Sequence, residues 1–410
     1  MTEYLKRGMR YINVFIKWTF LSLLVGIVCG LVGVSFHFAV DCAAELFTEH
    51  TYILYFLPLG GVLIALLYRL FSSKGKMDTN RVIESVRKDE KLPLVMVPLI
   101  FISTTISHFL GASVGREGAA LQLGGGIGYN VGKLFRMNKT DTHIITVTGM
   151  SAVFSALFGT PVTAAVFSLE VCRVGRFNYM GFLPCIISAV TAYEVSGFFK
   201  ISPMRFLDIA VPEMSATALL KVVGITLLCA MLSIFFLCAL KYGHKWMKKL
   251  IKNVYVRAFA GGVAVVLLTL AIGTRDYNGA GMSVIEKALS GKAVGYAFLL
   301  KILFTTICIS AGFKGGEIVP TLFIGSTFGC FMGGLLHLNP AFSAAVGLIA
   351  LFCGVVNCPL ASLFLSIEMF GADGILFFGI VCAISYMMSG YSGLYKSQEF
   401  LYSKLNAERI

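Results

Sequence analysis

Two glutamates set in glycine-rich, otherwise apolar sequence are the residues of this chain best suited to chemistry. Glu117 lies in the sequence Gly-Arg-Glu-Gly, and Glu317 lies in Gly-Gly-Glu-Ile-Val-Pro. A carboxylate in such surroundings is costly unless it is paired, hydrated or protonated, so each is a candidate proton carrier. The alternatives are structural: an ion pair of Glu117 with the adjacent Arg116, and a salt bridge of Glu317 to Lys314.

The composition indicates that these glutamates lie in a membrane. Of the 410 residues, 57% are apolar and 13% are charged, and the mean hydropathy is +0.83. At roughly 20 apolar residues per span, the chain contains enough for at most about 11 transmembrane helices. This composition excludes a soluble enzyme, a disordered chain and a nucleic-acid-binding module. It predicts an all-α membrane protein that crosses the bilayer several times.

The basic residues and the cysteines do not indicate a nucleic-acid or metal partner. The net charge of +13 comes from Lys and Arg in short loops and at both termini, where they fix the orientation of a membrane protein. The 11 cysteines form no Cys-x-x-Cys pairs, so we expect small buried hydrophobes, no metal site and no cofactor. The basic N-terminal residues predict a cytoplasmic N-terminus, without a cleaved signal peptide, in a protein of the cell membrane.

The chain contains an internal repeat. The segments 149–161 and 347–359 resemble each other, and a glutamate follows the last proline of each by nine residues. Val82-Ile83-Glu84 matches Val284-Ile285-Glu286, and Gly115-Arg116-Glu117 matches Gly315-Gly316-Glu317 at an offset of 200. Because the three matches occur in order at nearly one offset, they indicate a duplicated unit.

The repeat divides the chain into four predicted regions. A first transmembrane repeat covers 14–212 and a second covers 213–391. A cytoplasmic N-terminal segment, 1–13, precedes them, and a short cytoplasmic tail, 392–410, follows. Glu170 and Glu368, the glutamates at matched positions in the two copies, are expected to cap helices or to form structural pairs.

The charges of the connecting segments predict opposite orientations for the two copies. The first hairpin, 14–40 and 51–71, is joined by a segment with Asp41, Glu45 and Glu49 and no Lys or Arg. The corresponding hairpin, 215–240 and 255–273, is joined by a segment with six Lys and Arg. Basic connections stay on the cytoplasmic side, so the copies form an inverted repeat. The basic loop that includes Lys74 and Lys76 agrees with this orientation. Inverted repeats are typical of secondary transporters.

Four interruptions of the apolar segments predict helices that break at membrane depth. They are Gly111–Gly118, Gly124–Gly128, Gly312–Gly316 and Asn357–Pro359. Broken backbone is tolerated at this depth only where it is buried in protein or lines a polar cavity. A helix that restarts there points free N–H groups and its positive dipole end into the cavity, which favours an anion. The alternative is that these glycines serve close helix packing.

An anion site beside Glu117 suggests that this glutamate is a gate. When ionised, its carboxylate competes with the anion for the site. When protonated, the side chain swings out and carries a proton.

Three segments resemble the signature sequences of the CLC family of chloride channels and anion/proton antiporters. They are Gly115-Arg116-Glu117-Gly118 followed by Ala-Ala-Leu-Gln, then Gly315-Gly316-Glu317-Ile318-Val319-Pro320, and finally Gly393-Leu394-Tyr395. The resemblance spans residues 14–395. It implies the CLC-type inverted repeat of broken, tilted transmembrane helices, a homodimer and one pore per subunit.

The same resemblance implies roles for individual residues. Glu117 would be the external gating glutamate, and Tyr395 would supply a hydroxyl group to the inner anion site. The other anion-binding residues implied by the signature segments are Gly115, Arg116, Gly118, Gly316, Ile318 and Val319.

Departures from the chloride-handling members indicate the subtype. Their serine-bearing Gly-Ser-Gly-Ile-Pro segment is replaced here by 77–82, in which Asn80 could offer its amide N–H groups to an anion. Chloride/proton exchangers also carry a second internal glutamate, at the position that Val171 occupies. Glu317 stands where chloride members have an apolar residue. Together these differences resemble the fluoride/proton antiporter branch, with Glu317 passing the proton onward. Asp78 is unexpected for either ion.

The sequence therefore predicts a transporter that exports fluoride in exchange for protons, with fluoride or chloride, protons and the lipid bilayer as partners. The first alternative is a chloride/proton antiporter or chloride channel on the same scaffold. A second alternative, an intramembrane enzyme with the two glutamates as paired acids, lacks an HExxH or GxSxG motif. A third, a passive scaffold subunit, would not need these acids.

Overall fold

Sixteen α-helices, eight from each half of the chain, account for most of the residues that the structure describes. The computed structural model describes residues 2–71, 77–207, 209–406 and 408, and for residues 2–7 the backbone alone. The first eight helices are α1 (Thr2–Glu49), α2 (Leu57–Phe71), α3 (Thr79–Lys88), α4 (Met96–Phe109), α5 (Glu117–Leu134), α6 (Lys139–Phe158), α7 (Pro161–Glu170) and α8 (Phe182–Phe198). The second eight are α9 (Ala216–Leu250), α10 (Val254–Ile272), α11 (Met282–Leu289), α12 (Ala297–Ala311), α13 (Ile318–Leu335), α14 (Pro340–Val356), α15 (Pro359–Phe370) and α16 (Ile375–Met388).

Two short strands join the C-terminal segment to the first repeat. β1 (Arg173–Val174) follows α7, and β2 (Glu399–Phe400) follows α16. They pair in parallel, with Arg173 opposite Glu399. Short 3-10 turns at Thr51–Phe56 and Tyr179–Gly181 lead into α2 and α8.

The two sets of helices occur in the same order at a nearly constant offset, which confirms the repeat. α5 begins at Glu117 and α13 at Ile318, 201 positions apart, and α7 and α15 begin at Pro161 and Pro359, 198 positions apart. The offset of 200 predicted for the signature segments is therefore wrong by one residue. As a consequence, Glu117 and Glu317 do not occupy equivalent positions in the two repeats.

The predicted region boundaries fall partly inside helices. The N-terminal segment 1–13 is continuous with α1, which begins at Thr2. The boundary at 212/213 lies in the connection between α8 and α9 and remains a prediction. α1 also continues to Glu49, so the acidic residues expected in a connection belong to this helix. Likewise, the basic residues from Lys241 to Lys249 belong to α9. A helix of 48 residues exceeds the length that a bilayer core of about 30 Å requires, so its charged ends extend past the core.

Ion pairs identify one face of the molecule, which we call the terminal face. Lys17 of α1 donates to Asp141 of α6 (2.5 Å), and Lys139 of α6 donates to Asp89 at the end of α3 (2.8 Å). Glu399 of β2 pairs with Arg87 of α3 (3.2 Å) and lies on the same face. The opposite face, where α1 ends, is the far face. Lys74 and Lys76, expected near the end of α2, lie outside the described residues.

Three of the four predicted helix breaks are confirmed. The chain leaves helical conformation between α4 and α5, between α12 and α13, and between α14 and α15. The predicted break at Gly124–Gly128 is wrong, because these residues lie inside α5. The equivalent break is at Gly159, a left-handed residue (φ 69°) between α6 and α7. Two breaks in each repeat therefore face the protein interior.

The glycines inside α5 serve helix packing. A Cβ at Gly124 would lie 2.1 Å from the carbonyl oxygen of Gly149 in α6, and a Cβ at Gly149 would lie 2.2 Å from that of Gly124. Gly325 of α13 and Gly347 of α14 repeat this contact in the second half (2.5 and 2.3 Å). The packing alternative was correct here, because these close approaches require residues without a side chain.

Among the described residues, six helical segments are long and apolar enough to cross a membrane. They are Gly8–Glu49, Thr51–Phe71, Tyr179–Phe198, Ala216–Leu250, Val254–Ile272 and Ile318–Leu335. The remaining apolar helices are shorter, from 10 to 17 residues, as expected of helices that stop or restart inside a bilayer.

Two glutamates tie the repeats together by capping each other's helices. The carboxylate of Glu368 in α15 accepts hydrogen bonds from the N–H groups of Val162 (3.0 Å) and Thr163 (2.8 Å) at the start of α7. The carboxylate of Glu170, at the end of α7, accepts from the N–H groups of Leu360 (3.2 Å) and Ala361 (2.9 Å) at the start of α15. The predicted capping role of this pair is confirmed.

Candidate functional site

Two glycines, one from each repeat, form a backbone bridge between the breaks. The N–H of Gly115 donates to the carbonyl oxygen of Gly316, and the N–H of Gly316 donates to that of Gly115, both at 2.6 Å. A Cβ at Gly316 would lie 2.3 Å from the backbone nitrogen of Gly118, so no side chain fits there. We call this pairing the central bridge. It holds the starts of α5 and α13 side by side, and it uses the N–H groups of both glycines in this conformation.

The carboxyl group of Glu117 lies between the starts of these two helices. The side chain is 1% exposed, and its Oε2 accepts a hydrogen bond from the N–H of Arg116 (2.9 Å). The carboxylate also interacts with the backbone of Val319, at the start of α13. A Cβ at Gly115 would lie 2.6 Å from Glu117 Oε2, so this glycine leaves the carboxylate its space. Glu117 thus occupies a place lined by N–H groups, where negative charge is favoured.

The first residues of α5 and α13 supply further N–H groups at this place. Ile318 and Val319 are each 1% exposed, and their N–H groups belong to the first turn, which has no acceptor within its own helix. Pro320 has no N–H group. Gly118 of α5 lies against this turn, because a Cβ there would be 2.9 Å from Gly316 Cα. The structure therefore brings the signature residues of both repeats together.

Glu317 lies toward the terminal face, because neighbouring Lys314 contacts Tyr68 near the end of α2. Arg116, beside Glu117, instead bonds to Asp41 of α1 near the far face. Glu317 is the N-cap residue of α13, but its side chain makes no capping hydrogen bond. A Cβ at Gly118 would lie 3.6 Å from Glu317 Oε2. Unlike Glu117, Glu317 is partly exposed. Two carboxylates therefore flank one bridge, with Glu117 buried and Glu317 partly exposed.

The salt bridge considered for Glu317 is not present. Lys314 and Glu317 are both described, and they form no ion pair within 4.0 Å. The ammonium group of Lys314 lies instead over the ring of Tyr68 in α2, 4.2 Å from its centroid. It interacts with Glu317 and Asp78 electrostatically at longer range.

The start of α3 lies beside Glu317. Asp78 is the N-cap of this helix, and its Oδ1 accepts a hydrogen bond from the N–H of Arg81 (3.1 Å). The hydroxyl of Thr79 donates to the carbonyl oxygen of Gly118 (3.2 Å) and accepts from Gln122 Nε2 (3.2 Å). These bonds fix α3 against the start of α5, and Asn80 follows in the first turn, partly exposed.

The C-terminal segment orients Asn80. Its side-chain Oδ1 accepts a hydrogen bond from the N–H of Ser397 (3.1 Å), so the amide NH₂ group is directed away from that contact. The hydroxyl of Ser397 donates to Glu84 in the same helix (2.7 Å). Arg87 of α3 donates to the carbonyl oxygen of Ser397 as well as pairing with Glu399. The tail is therefore part of the site.

Tyr395 lies in this tail with an unused hydroxyl group. The residue is 5% exposed, and its hydroxyl is buried without a hydrogen-bond partner among the described residues. It interacts electrostatically with both Glu317 and Glu117. A buried hydroxyl without a partner is costly, so it points to a ligand or water that completes its hydrogen bonding.

Arg116 belongs to a network on the far face. Its guanidinium donates to Asp41 of α1 (2.8 Å) and lies 2.9 Å from Nδ1 of His37, whereas its Nε is 3.8 Å from Glu117. The contact with Glu117 is therefore the longest of the three. The main partners of Arg116 are on α1, and they hold the start of α5 against that helix.

Several residues of the site were missed by sequence reasoning. Tyr68, Thr79 and Ser397 contact the site from three different parts of the chain. None stands in a motif of its own, and only the tertiary packing brings them to the central bridge. Thr79 could have been found from the sequence, because it lies between Asp78 and Asn80, both of which the sequence analysis identified.

An inverted repeat of broken helices, with two carboxylates and free N–H groups at its centre, defines a membrane transport protein. A family model described as Voltage gated chloride channel matches residues 60–390. The chain is 32% identical over 395 residues, 95% of its length and 87% of the relative's, to a protein named Chloride/fluoride channel protein from Pseudomonas syringae pv. tomato. The chain belongs to the CLC family of chloride channels and anion/proton antiporters.

Other relatives and solved structures are similar over most of the chain. It is 28% identical over 397 residues, 85% of its length and 81% of the relative's, to the H(+)/Cl(-) exchange transporter ClcA of Vibrio cholerae. A crystal structure described as a CLC-type fluoride/proton antiporter matches with a TM-score of 0.90 and 29% identity, covering 94% of this chain and 98% of that one. A slow cyanobacterial Cl-/H+ antiporter matches in fold, with a TM-score of 0.79 at 20% identity over 91% and 94%.

Proposed function

We propose that the protein exports fluoride in exchange for protons. The observation that carries the proposal is the pair of glutamates on either side of the central bridge. Glu117 lies among the N–H groups of α5 and α13, and Glu317 faces the terminal side. One carboxylate can exchange places with an anion, and the other can take the proton that the first releases.

The exchange uses the two states of the Glu117 carboxyl group. As a carboxylate it occupies the N–H groups that an anion would need, so anion and carboxylate compete. On protonation it loses the charge that holds it there, and the anion takes its place. Because the anion can occupy the site only while Glu117 is protonated, the two fluxes are coupled. They run in opposite directions when the proton enters from the far face and leaves through Glu317 toward the terminal face, while the anion moves from the terminal face to the far face.

Fluoride, rather than chloride, is supported by the donors on the terminal side. Fluoride is small and strongly hydrated, so a site must replace its water with strong donors. Asn80 can offer its NH₂ group, since Ser397 holds its carbonyl oxygen, and Tyr395 can offer a hydroxyl. A similar protein is named a chloride/fluoride channel, and a similar structure is described as a fluoride/proton antiporter. In acidic surroundings fluoride crosses the membrane into the cell as neutral HF and is trapped inside as the ion, and an inward proton gradient can drive its export.

The test is ion flux from liposomes loaded with fluoride, followed by fluoride and pH electrodes together. Wild-type protein is expected to release fluoride and take up protons in a fixed ratio. Glu117→Gln is expected to lose proton uptake, because glutamine cannot be protonated. Glu286→Gln, which changes an exposed glutamate of α11, is the matched control and should behave as wild type. Fixed-ratio proton uptake by Glu117→Gln would refute the gate.

Selectivity is tested by comparing fluoride with chloride in the same assay. Wild type is expected to transport fluoride faster, and Asn80→Ser to shift the preference toward chloride by about tenfold, the effect of about 1.4 kcal/mol in donor strength. Faster chloride release by wild type would instead favour a chloride/proton antiporter, and anion release without proton movement would favour a channel.

The membrane arrangement is part of the proposal. The basic residues near the end of α9 and the charges of the terminal face support a cytoplasmic location for both termini, in the cell membrane. A homodimer is proposed from the family fold. Exposed apolar side chains on α8 and α16, including Leu183, Val190 and Leu376, supply faces for lipid or for the second subunit.

A further inference from the structure

The proton route from Glu317 to the terminal face lacks an evident carrier. The position at which the sequence comparison expects a second internal glutamate is Val171, which is fully buried and apolar. Valine cannot bind a proton. A proton that leaves Glu317 toward the terminal face therefore finds no acidic group at the position where the comparison expects one.

Asp78 is placed to receive it. Its neighbour Thr79 bonds to the carbonyl oxygen of Gly118 (3.2 Å), and Gly118 is the residue beside which the Glu317 carboxylate lies. The start of α3, which Asp78 caps, therefore meets the Glu317 side of the central bridge. Asp78 and Glu317 interact electrostatically with each other and with Lys314.

Partial exposure connects the two acids to water. Asp78, Lys314 and Glu317 are all partly exposed, although neighbours such as Met77 and Gly118 are buried. Exposed side chains surrounded by buried residues indicate a polar space that water enters. Glu117, by contrast, is 1% exposed.

The charges of the Asp78, Glu317 and Lys314 side chains favour the reversible binding of one proton. Asp78 and Glu317 carry two negative charges and Lys314 one positive charge, so one added proton makes the cluster neutral. A neutral cluster avoids the desolvation cost of an unpaired charge next to buried residues, and either carboxylate can hold the proton. Tyr68 completes the cluster, with its ring under Lys314 and a buried hydroxyl that has no hydrogen-bond partner among the described residues.

We propose that Asp78 carries protons between Glu317 and water at the terminal face. The O–H bond of the Glu317 carboxyl group breaks, and the proton binds a carboxylate oxygen of Asp78. Asp78 then releases it to water, and no other bond changes. This inference rests on the proposed antiport function and assigns its inner proton step.

Substitutions at Asp78 can separate the acid from the helix cap. Asparagine and serine cap a helix about as well as aspartate does, but neither can carry a proton. Asp78→Asn and Asp78→Ser are therefore expected to fold and to keep fluoride binding, measured by calorimetry on the purified protein, within about twofold of wild type. Asp78→Glu keeps the acid and weakens the cap, so it serves as the matched control.

The measurement is fluoride and proton flux together, in liposomes. Asp78→Asn and Asp78→Ser are expected to lower proton uptake by about tenfold or more, the range expected on loss of a proton-transfer group, whereas Asp78→Glu keeps most of it. Wild-type proton uptake in Asp78→Asn or Asp78→Ser would overturn the inference, as would an equal loss in Asp78→Glu. If the wild-type protein itself moves no protons, the proposed antiport function is wrong. If the wild-type protein moves protons and the Asp78 variants do so equally well, only the proposed role of Asp78 is wrong.

Discussion

Replacing Glu170 with glutamine tests the reciprocal caps that join the two repeats. Glu170 is 7% exposed, and its two oxygens accept from two N–H groups at the start of α15. Glutamine keeps one acceptor and turns an NH₂ donor toward the other N–H. The change removes one charge-assisted hydrogen bond, about 1.5–3 kcal/mol. It also removes a negative charge at a helix start, which contributes up to about 2 kcal/mol. We expect a loss of about 3 kcal/mol in the free energy of unfolding.

Thermal unfolding of the purified protein in detergent measures this loss. The buried cysteines Cys172 and Cys358 are free, so a thiol-reactive dye reports their exposure. An unfolding entropy of about 2.1 cal/mol/K per residue gives about 0.9 kcal/mol/K for a chain of this length, so Tm should fall by about 3 °C. Glu368→Gln should lower Tm less, because Glu368 is partly exposed. The two changes should add, since the caps share no partner.

The control is Glu286→Gln, at an exposed glutamate whose side chain forms no hydrogen bond with the described residues. Its Tm should stay within about 1 °C of wild type, as expected for surface changes. If Glu170→Gln lowers Tm no more than this control does, the carboxylate does not stabilise α15 and the argument for reciprocal capping is wrong.

Three further predictions concern packing, the tail and pH. Gly149→Ala should destabilise the protein by about 2 kcal/mol or more in the same thermal assay, because its Cβ would lie 2.2 Å from a carbonyl oxygen. Gly334→Ala is the control and should be neutral or stabilising, because the space around a Cβ at that position is open. Lys404→Met should speed proteolytic removal of the tail by about tenfold. The reason is that the Lys404 ammonium group donates hydrogen bonds to the side chain of Asn357 and to the carbonyl oxygens of Tyr386 and Gly390. An unchanged cleavage rate would show that these bonds do not hold the tail in place. The hydrogen bond from Lys139 lowers the pKa of Asp89 below 3.8. The ionised Asp89 therefore stabilises the fold at neutral pH, and this stabilisation is lost as the pH falls through the lowered pKa. Asp89→Asn should remove that part of the acid dependence of Tm.

The sequence predicted the elements of the fold whose signals are local. Apolar composition, repeated segments and glycine or asparagine interruptions indicated broken membrane helices in two copies, and three of the four break positions were correct. The error at Gly124–Gly128 has a physical cause. A glycine that ends a helix and a glycine that admits a neighbouring helix look alike in sequence, and only the contact with Gly149 distinguishes them.

The site was predictable where a motif carried it and not where packing carried it. The signature segments placed Glu117 and Glu317 correctly beside one another's helix starts. The position of Lys314 over Tyr68, and the contact of Ser397 with Asn80, depend on how α2 and the tail fold back. Such contacts join residues far apart in the chain, and no local pattern encodes them.

The one-residue shift between the repeats gives the two glutamates different environments. The repeats supply two equivalent helix starts, joined by the central bridge. Glu117 is the first residue of α5, and its carboxylate turns back to the N–H groups at that bridge. Glu317 precedes the first residue of α13 and makes no capping bond, so its carboxylate stays in the polar space on the terminal side. If both glutamates stood at equivalent positions, the pseudo-symmetry would give them equivalent surroundings on opposite sides of the bridge. The shift removes that equivalence. Under the proposed function, it assigns anion competition to one glutamate and proton transfer to the other.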